Sequence, residues 1–312
     1  MEETKQQPLA LRVCAELAGS LLLCFAIYAF STWGSAVYGV NVVFVPLATG
    51  LAYAVITALF ARVSGGHLNP AVTVAAVLTS KTNVVDGILY IIAQVIGAVA
   101  AAFAVVKLLP TSEQVAAKVW LSPAINGFEQ GSVSYSLLTQ YGITFSITLA
   151  IVVEVVASLI VVAAAMSAIG KDNESTDRYP LIMGGAYGIA VAISYPVTGA
   201  GLNPARSTGI ALAAMNEGLT QNPVQQLWVF WLAPVLAAAI VALAMIVVQM
   251  ATTPKLKAES VEDAAAAVAN DGAAQESFDS VEEGTGEQAE EAEVRDQQAD
   301  SQSDSDEGVE RH

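Results

Sequence analysis

The chain has 312 residues, of which 54% are hydrophobic and 13% are charged, and its formal net charge is −16. Soluble domains carry about 25% charged residues, so this composition disfavours an ordinary soluble domain. The sequence shows no basic surface, which excludes nucleic-acid binding as a first hypothesis.

The acidic residues are concentrated at the C-terminus. Residues 1–250 contain 9 Lys and Arg against 11 Asp and Glu, whereas residues 251–312 contain 4 against 18. The second segment has one aromatic residue and cannot bury enough apolar surface to offset its chain entropy. We therefore predict two units, an apolar membrane domain over 1–250 and an acidic, disordered tail over 251–312. Serines among these acids leave open a regulatory tail that responds to phosphorylation.

Long stretches without a formal charge predict six transmembrane helices, since about 20 apolar residues cross a bilayer. The 45 uncharged residues from Leu17 to Ala61 are too many for one crossing, and the turn formers at 33–39 are expected to separate two spans. The predicted spans are 9–32, 41–62, 84–109, 138–169, 179–197 and 225–250.

The basic residues of the short loops predict the orientation, because Lys and Arg are enriched on the cytoplasmic side. With six spans both termini lie on one side, and that side holds eight basic residues against two on the other. We therefore predict cytoplasmic termini. The eight residues are Lys5, Arg12, Arg62, Lys81, Lys171, Arg178, Lys255 and Lys257.

The chain contains an internal repeat. Leu-Asn-Pro-Ala occurs at 68–71 after the second span and again at 202–205 after the fifth, and a glutamate recurs as Glu16 and Glu154. Each half has three spans, so the second half enters the membrane with the opposite orientation, which points to a site at the pseudo-two-fold interface. The predicted fold class is an all-α membrane protein with six transmembrane helices and two re-entrant half-helices in an inverted 3+3 repeat, with halves of about 9–109 and 138–250.

Each copy of the motif is predicted to begin a short helix. Asn is a favoured N-cap and Pro is favoured at the first helical position, so Asn69 would cap a helix over 71–79 and Asn203 one over 205–214. Ten helical residues span roughly 15 Å, about half the hydrocarbon thickness. The two capped ends, with their positive dipoles, are therefore expected to meet near the midplane.

These motifs resemble those of the aquaporins in the major intrinsic protein family. The first repeat reads Ser-Gly-Gly-His-x-Asn-Pro-Ala-Val-Thr, as in bacterial water channels. Further matches to water-selective members are Ser207, Ala211, Phe230 and Trp231. The resemblance covers about 9–250 and implies one pore per subunit, a homotetramer in the plasma membrane, and a passive channel for water that excludes protons and ions. Passage of small uncharged solutes stays open.

The resemblance also implies roles for individual residues. Asn69 and Asn203 would each donate an amide hydrogen to passing water. The motif residues at the pore centre would be Asn69, Pro70, Ala71, Asn203, Pro204 and Ala205. Backbone carbonyls would line the pore at Gly65, Gly66, His67, Gly199 and Gly201.

Two buried glutamates, Glu16 and Glu154, would hold the backbone N–H groups of the two re-entrant loops, with Gln94 as a similar anchor. Buried charges in membranes are normally paired, which favours this role over a proton pathway. For His67 a purely structural role is the alternative to pore lining.

Four positions build the external constriction in this family, and counting from the two motif asparagines places them at Thr49, Val191, Ala200 and Arg206. Water-selective members carry an aromatic residue at the first position and His at the second, while glycerol facilitators carry two aromatics. The residues found here predict a wider and less polar ring. A facilitator of glycerol, urea or ammonia is therefore the alternative function, unless Tyr53, Tyr195 or Phe128 narrows the ring.

The sequence indicates no enzyme, because it contains no nucleophile–base set or phosphate loop and too few histidines for a histidine-based metal site. We expect no cofactor and no metal. The expected partners are water, small neutral solutes and the lipid bilayer. Two other classes remain as alternatives: an ion- or proton-coupled transporter that uses Glu16 and Glu154, and a structural membrane protein with a shut pore.

Overall fold

The computed structural model describes residues 6–38 and 43–252. Within these residues six helices are long and apolar enough to cross a membrane. These six helices are α1 (Leu9–Ala29), α3 (Phe44–Ser64), α5 (Val84–Leu108), α8 (Ile147–Ala168), α9 (Tyr179–Thr198) and α11 (Val229–Thr252). The shorter helices are α2 (Ser35–Tyr38), α4 (Pro70–Leu78), α6 (Ala117–Leu121), α7 (Val133–Thr139) and α10 (Pro204–Ala214). The predicted tail lies outside the described residues apart from 251 and 252, which end α11.

The six predicted spans are confirmed. The break in the helix that was expected at 33–39 is not found over 33–38, which is the part of that segment that the structure describes. The chain continues from α1 through a π-helical turn, Phe30–Gly34, into α2. Side-chain hydroxyls bond back to the helix here: Thr32 donates to the carbonyl of Tyr28 at 2.8 Å and Ser35 to that of Phe30 at 3.1 Å. Such bonds tend to bend a helix without ending it, and single π-helical turns occur within longer helices.

The fourth span begins at Ile147 rather than at 138. Ser146 is its N-cap and accepts a hydrogen bond from the backbone N–H of Leu149 at 3.2 Å. The preceding segment forms the separate helix α7, which has its own cap at Ser132. The last candidate span runs over Pro223–Thr252, and within it a 3₁₀ turn over Pro223–Gln226 precedes α11, so the α-helix begins at Val229 rather than at 225.

The two halves have matching helix contacts. In the first half α1 packs against α3 and α5, and in the second half α8 packs against α9 and α11. Helices α3 and α9 form the main contact between the halves. Each short helix packs across the interface: α4 contacts α11 and α10 contacts α5. This exchange is what an inverted repeat requires at its pseudo-two-fold interface.

The two predicted half-helices begin at the motif prolines. The side chain of Asn69 accepts from the backbone N–H of Ala71 at 2.8 Å, and that of Asn203 from Ala205 at 3.0 Å. Left-handed backbone conformations precede both caps, with φ of +50° at Leu68 and +54° at Leu202. The described residues contain no β-strand, only an isolated bridge between Ile169 and Ser175.

Polarity is arranged inside out, as expected for a protein in lipid. Large apolar side chains such as Leu47 and Leu51 are exposed on the outer surface, while Glu16, Glu154 and Gln94 are fully buried. An isolated buried charge would be costly, so these groups need partners inside the bundle. The polar interior is therefore where a functional site is expected.

Candidate functional site

The two motif asparagines meet at the centre of the bundle and bridge the two repeats. The side-chain Nδ2 of Asn69 donates to the carbonyl of Leu202 at 3.0 Å, and that of Asn203 donates to the carbonyl of Leu68 at 2.7 Å. Each asparagine thus caps its own half-helix with its oxygen and holds the opposite loop with its nitrogen. The amino ends of α4 and α10 therefore lie against each other.

The second amide hydrogen of each asparagine is also taken. Asn69 donates to the hydroxyl of Tyr187 at 2.6 Å and Asn203 to that of Tyr53 at 3.0 Å. A side-chain amide has two donor hydrogens, so both are engaged within the protein. In this structure the acceptor at each asparagine is a tyrosine hydroxyl, where the sequence interpretation expected a water molecule.

The two tyrosines form a stacked pair. Their ring centroids are 3.2 Å apart and their planes differ by 7°. From the sequence, Tyr53 is a candidate only for the external ring, and no role is predicted for Tyr187. A signal was present, because Tyr53 precedes Asn69 by 16 residues and Tyr187 precedes Asn203 by 16 residues.

All four residues predicted for the external constriction line one cavity. We call this space, lined by Thr49, Val191, Ala200 and Arg206, the Arg206 cavity. Tyr53, Tyr187 and Asn203 also line it. The hydroxyls of Thr49 and Ser31 are buried in its wall without a hydrogen-bond partner among the described residues.

A loop residue holds the guanidinium of Arg206. Nη1 donates to the side-chain oxygen of Asn126 and Nη2 to the carbonyl of Ala124 at 2.9 Å. The Asn126 amide donates in turn to the carbonyl of Gly199 at 2.9 Å. Among the described residues no carboxylate lies within ion-pair distance of Arg206. Asn126 was missed from the sequence, because its loop position gives no periodic signal.

The two buried glutamates contact the two loops in the same way. Glu16 accepts from the backbone N–H groups of His67 at 2.9 Å and Leu68 at 2.8 Å. Glu154 accepts from those of Gly201 at 2.8 Å and Leu202 at 2.9 Å. Gln94 donates to the Glu16 carboxylate at 2.7 Å and to Thr73 at 3.0 Å. Both carboxylates are thus occupied by donors from the loop ends.

The two loops differ in what they contribute to the Arg206 cavity. Gly199 and Gly201 line it, whereas Gly65, Gly66 and His67 do not. The carbonyl of Gly66 accepts from the hydroxyl of Tyr179 at 3.1 Å. His67 is fully buried, and its Nδ1 lies 3.1 Å from the hydroxyl of Thr73.

Of the three aromatics considered for narrowing the ring, two line the cavity. Tyr195 does so while its hydroxyl donates to the carbonyl of Pro123 at 3.2 Å, and Tyr53 lies at the asparagines. Phe128 packs with Phe230 in a separate cluster. In the described ranges no three metal-ligating side chains cluster.

Comparisons with known proteins agree with this architecture. The family model described as Major intrinsic protein matches residues 3–245. The chain is 32% identical to Aquaporin Z of Photorhabdus laumondii subsp. laumondii over 233 residues, which cover 73% of this chain and 93% of that protein. It is 30% identical to Glycerol uptake facilitator protein-like 6 of Lactiplantibacillus plantarum, with 73% and 93% covered.

Among solved structures, the chain resembles that of the aquaglyceroporin from Plasmodium falciparum with a TM-score of 0.53 and 18% identity. The match covers 75% of this chain and 94% of that chain, and at this identity it supports the fold alone. Together with the family match and the sequence relatives, the inverted bundle shows that the chain belongs to the major intrinsic protein family of membrane channels.

Proposed function

We propose that this channel passes water, together with small uncharged solutes, through the Arg206 cavity while excluding protons and ions. The observation that carries the proposal is that Thr49, Val191, Ala200 and Arg206 line one cavity that reaches Asn203. In pores of this kind the diameter and the lining groups decide which solutes pass. Members of this family are channels rather than enzymes, so no reaction is proposed.

The exclusion of cations would rest on Arg206. Arg206 is 3% exposed, its guanidinium is held by neutral oxygens, and no carboxylate of the described residues lies within ion-pair distance of it. A fixed charge near a low-dielectric wall acts strongly on an approaching cation. The two half-helix amino ends at the asparagines would add to this barrier, as is general for aquaporin-type pores.

The passage of small solutes is supported by the walls of the Arg206 cavity. Thr49, Val191 and Ala200 provide no aromatic ring and no imidazole. The guanidinium of Arg206 has five N–H donors, of which Asn126 and Ala124 take two, so the others can bond to the oxygen of water, urea or glycerol. Water is therefore the first substrate to test, and glycerol, urea and ammonia are the next.

A proton-coupled transporter is less well supported. The carboxylates of Glu16 and Glu154 each accept at least three hydrogen bonds from loop and helix donors. Groups bonded in this way are suited to anchor the loops rather than to load and release a proton. We therefore assign both residues a loop-anchoring role.

The assembly and its location are part of the same proposal. We propose a homotetramer in the plasma membrane, which membership of this family implies. Both termini would lie in the cytoplasm, because eight basic residues then lie on the cytoplasmic side against two outside. The acidic segment 251–312 would form a cytoplasmic tail beyond the channel domain 1–250.

Stopped-flow light scattering of proteoliposomes tests the proposal. Water permeability above that of empty liposomes is expected under an osmotic gradient, followed by measurable entry of glycerol, urea or ammonia. The flux should not depend on a pH gradient and should carry no current. Permeability equal to that of empty liposomes would instead support a structural membrane protein with a shut pore.

A further inference from the structure

The Arg206 cavity ends at the tyrosine pair, Tyr53 and Tyr187. Both rings line the cavity, and both residues are 1% exposed. Of the pore residues predicted from the first repeat's loop, Gly65, Gly66, His67 and Asn69 are absent from the cavity lining. The free space on the Arg206 side therefore does not reach the loop of the first repeat.

The tyrosine pair lies where the sequence interpretation expected water. Each hydroxyl accepts the one asparagine hydrogen that is not used between the two loops. Neither asparagine then has a hydrogen left for a water molecule. The hydroxyl oxygens thus stand in for pore water at both donors.

The two tyrosines occupy matching positions in the two repeats. Tyr53 lies three residues after Gly50 and Tyr187 three residues after Gly184, so both rings lie about one turn beyond the helix contact. At this contact a Cβ atom on Gly50 would lie 2.6 Å from the carbonyl oxygen of Gly184. The close approach of α3 and α9 brings the two rings together. The pair is therefore a symmetric feature of the interface.

We propose that the tyrosine pair is the narrowest point of the pore and sets the rate at which every permeant crosses. This inference rests on the proposed channel function. A passing water molecule replaces a phenol oxygen at an asparagine, and this exchange of one hydrogen bond for another costs little. The stacked rings, however, must move apart to let it through. The Arg206 cavity then determines which solutes reach the pair.

The test compares ring removal with hydroxyl removal in full-length protein in proteoliposomes. The double variant Tyr53→Val/Tyr187→Val removes both rings, and we expect it to raise osmotic water permeability per protein about tenfold or more. The double variant Tyr53→Phe/Tyr187→Phe keeps both rings, and we expect it to stay within about twofold of the parent. Tyr141→Val, at a side chain 74% exposed, is the matched control and should match the parent.

Three outcomes would overturn the proposal. If the valine pair is no faster than a conducting parent, the tyrosines do not limit permeation and only this inference fails. If the phenylalanine pair is as fast as the valine pair, the hydroxyl bonds and not the rings close the pore. If neither the parent nor any variant exceeds empty liposomes, the channel function fails as well. Size-exclusion chromatography checks assembly, and Tyr53→Leu/Tyr187→Leu replaces the valine pair if that pair does not assemble.

Discussion

Gly50 and Gly184 face each other with their backbones in direct contact where α3 crosses α9. A Cβ atom on Gly50 would lie 2.6 Å from the carbonyl oxygen of Gly184, and one on Gly184 would lie 2.8 Å from the carbonyl oxygen of Gly50. Small residues allow membrane helices to approach in this way without loss of packing. The contact joins the two repeats and brings the tyrosine pair to the asparagines.

Gly184→Ala is therefore expected to destabilise the channel by about 1–3 kcal/mol, because the added methyl meets backbone that cannot move aside. Besides the carbonyl of Gly50, it would lie 2.7 Å from the Cβ of Ala54. The measurement is the thermal unfolding midpoint in detergent. Gly185→Ala, at the next position of the same helix, has nothing within 4 Å and should unfold like the parent. Equal midpoints for the two variants would contradict the close-contact argument.

Arg206→Val is expected to raise the proton or cation leak without abolishing water flow, because the fixed positive charge in the cavity wall is lost. The leak is measured with a pH-sensitive dye inside proteoliposomes. Arg62→Val is the matched control, since Arg62 is exposed and pairs with Asp177 only at the surface, at 3.5 Å. An unchanged leak in an intact assembly would count against the role assigned to Arg206.

Thr49→Phe combined with Val191→His is expected to keep water flow and to lower entry of the larger solutes. None of the four ring positions carries an aromatic residue, so glycerol or urea should enter proteoliposomes at a measurable rate. The added ring and imidazole would narrow the Arg206 cavity, which both side chains line. The measurement is stopped-flow solute uptake for parent and variant. A parent that excludes glycerol, urea and ammonia would show that other side chains limit these solutes.

Deletion of residues 258–312 is expected to leave the assembled channel and its basal permeability largely intact. The segment is acidic and carries a single aromatic residue, so it lacks the apolar groups needed to pack on a helical bundle. Size-exclusion chromatography and stopped-flow water permeability check this directly. Loss of the assembly or of water flow on truncation would mean that the tail has a structural role.

The positions of the spans could be predicted from the sequence because the bilayer imposes a fixed length on apolar helices. The repeat could also be predicted, since Asn69 and Asn203 each precede a proline after the second span of a half. The caps of both half-helices follow from local chemistry that does not depend on distant residues. These features were determined by residues close together in the chain, and the structure confirms them.

The ends of some helices could not be predicted from the sequence in this way. Residues 33–38 have a turn-forming composition, but they continue the helix through the π-helical turn Phe30–Gly34 into α2. The start of the fourth span at Ile147 depends on the cap at Ser146, and nothing in the hydrophobic pattern distinguishes that serine from the polar residues before it. Composition averages over such single hydrogen bonds and therefore misplaces the ends of helices.

Only the tertiary structure decided what the asparagines bind. Tyr53 and Asn203 lie 150 residues apart in the sequence, and yet their side chains form a hydrogen bond of 3.0 Å. Sequence periodicity indicates only contacts between residues that are close together in the chain. The Arg206 guanidinium is likewise held by Asn126 from a loop 80 residues away. Such pairs depend on how closely the two repeats approach at Gly50 and Gly184, and this distance is set by the packing of the whole bundle. The sequence alone determined the arrangement of six spans and two half-helices. The packing of the bundle decided that a tyrosine hydroxyl accepts from each asparagine at its centre.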